Sequence, residues 1–260
     1  MADHCVPVTP ARVGFRDVPP ATSELLVVVP ALNEAGSVAE VVREIRAAVP
    51  DATCLVIDDG STDATAAIAR SAGARVLSLP FNLGVGGAMR TGFRFARDHG
   101  YRVVVQVDAD GQHDARDIPR LVQGLAGADI VIGSRFAGSA SYGVRGPRRW
   151  AMHVLAWAVG TLAHRPLTDV TSGFKATGPR AVRLFAHTYP AEYLGDTVEA
   201  LVIAARAGLG IEELAVDMRE RQAGSPSHHP LRATVYLLRA GVAFLLATVQ
   251  PRIRIENTPA

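Results

Sequence analysis

The chain has 260 residues, 48% of them hydrophobic and 20% charged, with a formal net charge of +2 at pH 7. That is enough for one large α/β domain or two small ones, and too little positive excess for a wholesale nucleic-acid binder. The two cysteines, Cys5 and Cys54, leave no disulfide framework and no zinc cluster.

Residues 1–22 are Pro-rich and lack the apolar stretch of a signal peptide, so a flexible tail and a cytoplasmic protein are expected. Glu24 to Pro30 (ELLVVVP) reads as a first buried strand. It ends in the polar loop Ala31-Leu32-Asn33-Glu34. A helix follows from near Ser37 to about Val49, where Ser37 and Glu40 have the spacing of a capping box. Thr53 to Ile57 is the second strand and ends in Asp58-Asp59-Gly60-Ser61. A helix from Thr62 or Asp63 to Ser71 comes next, so the strand, acidic loop and helix repeat of a parallel sheet is established.

The third strand, Arg75 to Leu79, leads into Pro80-Phe81-Asn82-Leu83-Gly84-Val85-Gly86-Gly87. This is not a dinucleotide fingerprint, because Met89 stands where its third glycine belongs. A Gly-rich turn can still offer backbone amides to an anion. Gly86 is therefore read as facing a nucleotide, and Arg90, one turn into the helix Ala88 to His99, as facing its phosphates. Loop packing is the competing reading of the turn.

Tyr101 to His113 (YRVVVQVDADGQH) carries the strongest signal. Its β-branched run stops at Asp108-Ala109-Asp110. Two carboxylates at i and i+2 after a buried strand repel each other, and a cation between them relieves this. Hard oxygen donors suit Mg²⁺ or Mn²⁺. The competing reading is a pair of loop aspartates capping the next helix. That helix is expected at Asp117 to Leu125, and another strand at Asp129 to Gly133, running into Ser134-Arg135.

From Ile130 to Thr168 there is no Asp or Glu, while Arg135, Arg145, Arg148, Arg149 and Arg165 all fall inside. Such a window implies an electropositive face. Trp150 to Ala163 is apolar almost all round yet shorter than the roughly 20 residues a bilayer crossing needs. It reads either as core or as a helix lying in a membrane interface. Ala240 to Val249 is a shorter stretch of the same kind. Thr168 to Lys175 is read as a polar turn, followed by a helix from Pro179. Asp196 and Glu199 share one face of a helix starting near Tyr193. A last strand, Ile211 to Met218, opens into an Arg/Gly/Ser/His loop that reaches His229.

Six segments together resemble the family 2 glycosyltransferases of the GT-A fold, and within them the dolichyl- or polyprenyl-phosphate sugar synthases. They are VVVPALNE (Val27 to Glu34), DDGSTDAT (Asp58 to Thr65), NLGVGGAMRTGF (Asn82 to Phe93), DADGQH (Asp108 to His113), GSRF (Gly133 to Phe136) and DVTSGFK (Asp169 to Lys175). The resemblance implies an α/β, Rossmann-like fold: a mostly parallel sheet with helices on both faces, plus C-terminal amphipathic helices. The transferase domain would span residues 23–230, with an amphipathic helix and tail at 231–260.

The implied activity is inverting transfer of a hexose from a GDP-mannose- or UDP-glucose-type donor to a polyprenyl phosphate. The enzyme would lie on the inner face of the cell membrane. Pro30, Ala31, Asn33, Glu34, Asp58, Asp59, Asp108 and Ala109 would hold the donor. Asp108, Asp110 and Gln112 would surround Mg²⁺ or Mn²⁺. Arg135, Arg148, Arg149, Ser172 and Arg221 would hold the acceptor phosphate, and catalysis would rest on Asp108, Asp110, Arg135 and Arg221. A phosphate acceptor is already anionic, so it needs arginines and no base. The implied partners are the donor, the acceptor, the membrane surface, and a small integral membrane protein or a second copy of the chain. One departure is His228, where the family often carries Lys after Gly-x-Ser. Two other readings remain: transfer to a hydroxyl with Asp196 or Glu199 as base, and a non-catalytic nucleotide-sugar-binding partner of a membrane protein.

Overall fold

The computed structural model describes residues 23–135, 147–190 and 196–219. Seven strands form one sheet: β1 (Leu25–Ala31), β2 (Thr53–Asp58), β3 (Arg75–Ser78), β4 (Val103–Gln106), β5 (Ile130–Ser134), β6 (Lys175–Thr177) and β7 (Ile211–Ala215). Their spatial order is β3-β2-β1-β4-β6-β5-β7, and every pairing is parallel except the two made by β6.

Alternation along the strands divides the core between two faces, because successive side chains point to opposite sides. Leu26, Val28, Leu55, Ile57 and Val104 share one apolar cluster with Met89 and Phe93 of α3 (Gly84–Asp98). They also meet residues of α5 (Pro147–Ala163), α6 (Pro179–Thr188) and α7 (Asp196–Arg206) there. Val27, Val29, Val56 and Val105 face the other way, onto α1 (Val38–Ala48), α2 (Thr65–Ser71) and α4 (Ile118–Gly124). Helix α3 lies so close to β1 that a Cβ on Gly92 would come within 2.7 Å of Val28.

The topology positions the site. From β1 the chain winds outward through β2 and β3, then returns to place β4 on the other side of β1. Such a reversal leaves a crevice at the carboxyl ends of the two strands, where open α/β sheets bind ligands. The antiparallel β6 starts at that same edge, since Lys175 pairs with Gln106 at the end of β4. The preceding segment, Asp169 to Phe174, is thereby delivered to the crevice.

Several local expectations differ from the structure. The capping box at Ser37 does not form: its buried hydroxyl turns back to Glu34 Oε2 at 3.1 Å, while Glu40 pairs with Arg43. Helix α2 begins at Thr65, because Asp63 takes the Thr65 N–H and hydroxyl before it. The Gly-rich turn is largely the first turn of α3, with Gly86 and Gly87 buried in it. Strand β6 was not expected, and β7 ends at Ala215. Beyond it Met218 makes only an isolated bridge to His113. Trp157 is 71% exposed and so outside the core. Arg145, Tyr193, Arg221, the loop to His229 and Ala240 to Val249 lie outside the described residues.

Candidate active site

The loops after β1 and β2 are stitched into one wall. Asn33, with φ +55°, accepts the Thr62 N–H at 2.9 Å through Oδ1 and donates its own N–H to Ser61 Oγ at 2.9 Å. Glu34 N–H donates to Thr65 Oγ1 at 2.8 Å. Pro30 and Ala31 end β1 as buried residues, and Ala31 O accepts the Asp59 N–H at 2.8 Å. Asp58 is buried and holds the Ser61 N–H at 3.1 Å.

Asp59, expected at the donor, is engaged within the protein. Its two oxygens accept the Leu83 and Gly84 N–H groups at 2.7 and 2.8 Å. The amides expected to greet a nucleotide phosphate are thus occupied by a carboxylate, in keeping with the preference of helix N-termini for negative charge. Burial pushes the Asp59 carboxyl above its ordinary range, the two amide donors pull it back, and neighbouring Asp58 adds to the rise. Arg90 reaches across to α6, where Nη2 donates to His187 O at 3.4 Å.

At the end of β4, Asp108 and Asp110 sit in different surroundings. The Asp108 side chain is 38% exposed, whereas Asp110 is buried and its Oδ1 accepts the Gln112 N–H at 3.1 Å. Gln106 Nε2 donates to Asp108 Oδ1 at 3.2 Å. Gly173 packs against the Asp108 carboxylate: a Cβ there would lie 2.7 and 2.8 Å from its two oxygens. Among the described residues no group of three or more His, Cys, Asp or Glu side chains is placed to hold a metal. Two carboxylates nonetheless fit Mg²⁺ or Mn²⁺, which are bound by one or two carboxylates when substrate phosphates supply further oxygens. Ala109 between them is buried, and Gln112 is half-buried.

The third wall is built on one ion pair and the hydrogen bonds around it. Arg135 grips the fully buried Asp169 with both arms, Nε to Oδ2 at 2.6 Å and Nη2 to Oδ1 at 2.8 Å, and adds Thr171 Oγ1 at 3.0 Å. Glu213 of β7 accepts the Thr168 and Asp169 N–H groups, each at 2.7 Å. Arg135 therefore secures the Asp169 loop with the fork that was expected to meet a phosphate. Ser172 is buried and accepts the Phe174 N–H at 3.3 Å. Arg148 and Arg149 belong to the first turn of α5. Glu213, Gly173 and His113 were assigned no role from sequence; their significance lies in partners 44, 65 and 5 positions away.

A switch-point crevice walled by acidic loops, on a mostly parallel seven-stranded sheet, defines a GT-A fold. Glucosyl-3-phosphoglycerate synthase from Mycobacterium tuberculosis, solved with Mn²⁺, uridine diphosphate and phosphoglyceric acid, superposes with a TM-score of 0.66 at 22% identity. The match covers 87% of this chain and 79% of that one.

The chain belongs to glycosyl transferase family 2, whose model matches residues 26–187. It is 34% identical over 211 residues to an undecaprenyl-phosphate mannosyltransferase from Micrococcus luteus, covering 77% of this chain and 85% of the relative. It is also 33% identical over 168 residues to a polyprenol monophosphomannose synthase from Mycolicibacterium smegmatis, covering 60% of this chain and 62% of that protein.

Proposed function

We propose that this chain transfers a hexose from a nucleoside-diphosphate sugar to a polyprenyl phosphate at a membrane surface, with inversion at the anomeric carbon. The observation that carries the reading is the likeness to the undecaprenyl-phosphate mannosyltransferase, which runs through 85% of that relative's length. The donor would lie along the stitched wall of Pro30, Ala31, Asn33, Glu34 and Asp58, with its diphosphate toward Asp108 and Asp110. These two, with Gln112, would hold Mg²⁺ or Mn²⁺. When bound, the ion supplies Lewis-acid stabilisation of the charge that develops on the leaving diphosphate. A phosphate acceptor attacks as an anion and needs only to be oriented. Arg148 and Arg149 are the residues proposed to do this, together with Arg221.

One observation favours the second reading, transfer to a hydroxyl. Arg135 is already engaged by Asp169, so one arginine meant for an acceptor phosphate has another partner. Under that reading Glu199, half-buried on α7, would be the base. Arg135→Ala is a poor test between them, since it strips a buried carboxylate of its partner, which costs about 3–5 kcal/mol where both groups are buried and somewhat less at the half-open rim.

The discriminating measurement is steady-state transfer from GDP-mannose and UDP-glucose, with Mn²⁺, to a short-chain polyprenyl phosphate. Glu199→Gln and the double variant Arg148→Ala/Arg149→Ala would be compared with wild type. The proposal expects a near-normal Glu199→Gln, and at least a tenfold loss of kcat/KM for acceptor in the arginine variant, as charged hydrogen bonds worth about 1.5–3 kcal/mol imply. An inactive Glu199→Gln beside a healthy arginine variant would establish the hydroxyl reading instead.

A further inference from the structure

His113 closes the DADGQH segment, and the donor reading gives it nothing to do. It is nevertheless among the most confined polar groups of the crevice, with its side chain 2% exposed. Its ring lies flat on Phe174, with centroids 4.8 Å apart and planes inclined by 12°. Its backbone is bridged to Met218. Both ring nitrogens address one residue. Nδ1 accepts the Asp108 N–H at 3.1 Å, which leaves the ring proton on Nε2, and Nε2 stands 3.7 Å from Asp108 Oδ2. That separation exceeds a hydrogen bond, and a ring whose Nδ1 accepts is neutral. The contact is therefore a dipole facing a carboxylate and not an ion pair.

Asp108 is thus confined on three sides. Gln106 holds Oδ1, His113 holds the backbone and faces Oδ2, and Gly173 lies against both oxygens with no room for a side chain. The open side is the solvent-facing one. A carboxylate that must meet a cation and a diphosphate gains from being held in one rotamer beforehand, since ordering it at the moment of binding would cost affinity.

We propose that His113 is the positioning residue of Asp108, fixing its backbone and aiming its carboxylate into the crevice; this rests on the reading of Asp108 as a donor- and cation-binding residue. Phe174 and the Met218 bridge hold the ring, so the effect depends on the nitrogen at the Nδ1 position and not on the ring's bulk.

The test uses the full chain and binding of UDP and GDP, measured by calorimetry with and without Mn²⁺, beside thermal melts. His113→Phe keeps a ring to stack on Phe174 but removes the acceptor. His113→Asn places an amide oxygen near the Nδ1 position, and His113→Gln places its amide nearer Nε2. The expected result is a weakening of Mn²⁺-dependent nucleotide binding by about tenfold or more in His113→Phe. His113→Asn should recover most of it, and His113→Gln should recover less. A residue that merely fills space would lower the melting temperature and leave the Mn²⁺ dependence of binding as in wild type, and that result would overturn the proposal. If His113→Phe does not fold, the Asn and Gln variants decide: equal binding by the two overturns it. Asp108→Asn separates the underlying reading. Should it too bind nucleotide with unchanged Mn²⁺ dependence, the assignment of Asp108 fails and not that of His113 alone.

Discussion

At the scale of single residues, the site is governed by how each carboxylate is satisfied. Asp59 is buried and bound to the first amides of α3, so its charge is costly in one respect and useful in another. Asp59→Ala should lose about 1–2 kcal/mol, the usual value of an N-terminal cap, seen as a lower melting temperature. Asp59→Asn should lose less, since its one oxygen still serves one amide. The sign of the pH dependence follows from the raised carboxyl. The folded state binds this proton more tightly than the unfolded chain, so the cost of the charge is present above the raised pKa and disappears as pH falls through it. The stability of wild type relative to Asp59→Asn should therefore rise on acidification from neutrality. A flat or falling difference would contradict the burial argument. Unchanged stability with lost nucleotide binding would return Asp59 to the donor. The sequence made Asp108 and Asp110 legible because acids closing an apolar run are a local pattern. The amides that engage Asp59 are 24 and 25 positions away and the carboxylate that engages Arg135 is 34 away, and no local pattern encodes such pairs.

At the scale of elements, the chain leaving β7 is strapped across the carboxylate loop. Arg219 N–H donates to Gln112 O at 2.9 Å, and its guanidinium reaches Glu44 of α1 at 2.6 Å and Asp114 at 3.1 Å. Hydrogen bonds from Arg116, and further ones from Arg219, hold the Asp114 carboxyl well below the usual carboxylate range. Arg219→Ala should cost about 1 kcal/mol, between an exposed and a buried pair, or roughly 2–4 °C in melting temperature. A depressed carboxyl contributes stability that is full above the unfolded value and lost as pH falls toward the folded one. The gap between wild type and Arg219→Ala should hold at neutrality and shrink below about pH 4; a gap unchanged by acid would mean that the pair is not its source. Most elements were legible within a few residues, because β1, β2, β4 and β5 are apolar runs ended by polar loops. Strand β6 was not. Three residues, Lys-Ala-Thr, show no period, and they are a strand only because β4 and β5 lie on either side to pair with them. The start of α3 was missed because glycines read as a turn, while here they let the helix's first turn pack closely: a Cβ on Gly87 would come within 2.4 Å of Leu83.

At the scale of the whole molecule, we propose that helix α5 is where the protein meets a lipid substrate. One side of it, Leu155, Ala156 and Val159, is buried in the cluster shared with α7. The opposite side presents His153, Val154, Trp157 and Thr161, with Trp157 71% exposed. A groove of about 560 Å³ runs beside it, lined by Trp157, His153, His164 and Arg165 among others. No helix among the described residues is long and apolar enough to cross a membrane, and this exposed apolar face is the one we propose touches lipid. An indole carries about 150–250 Å² of surface, and burying even part of it at about 25 cal/mol per Å² is worth roughly tenfold or more in partition. We therefore expect the protein to float with vesicles, and Trp157→Ala to weaken this about tenfold. Arg148 and Arg149 in the first turn of α5 should add a preference for anionic vesicles that fades with salt, because charges separated from lipid by more than about 8 Å are screened at physiological ionic strength. The apolar share should survive high salt. The measurement is flotation of wild type and Trp157→Ala on neutral and anionic vesicles at low and high salt, with sedimentation of the free protein alongside. If Trp157→Ala floats as wild type does, lipid does not reach this face. If instead wild type sediments as a dimer that the substitution dissociates, the exposed indole belongs to an interface between two copies, and the acceptor would be drawn from the membrane by another surface.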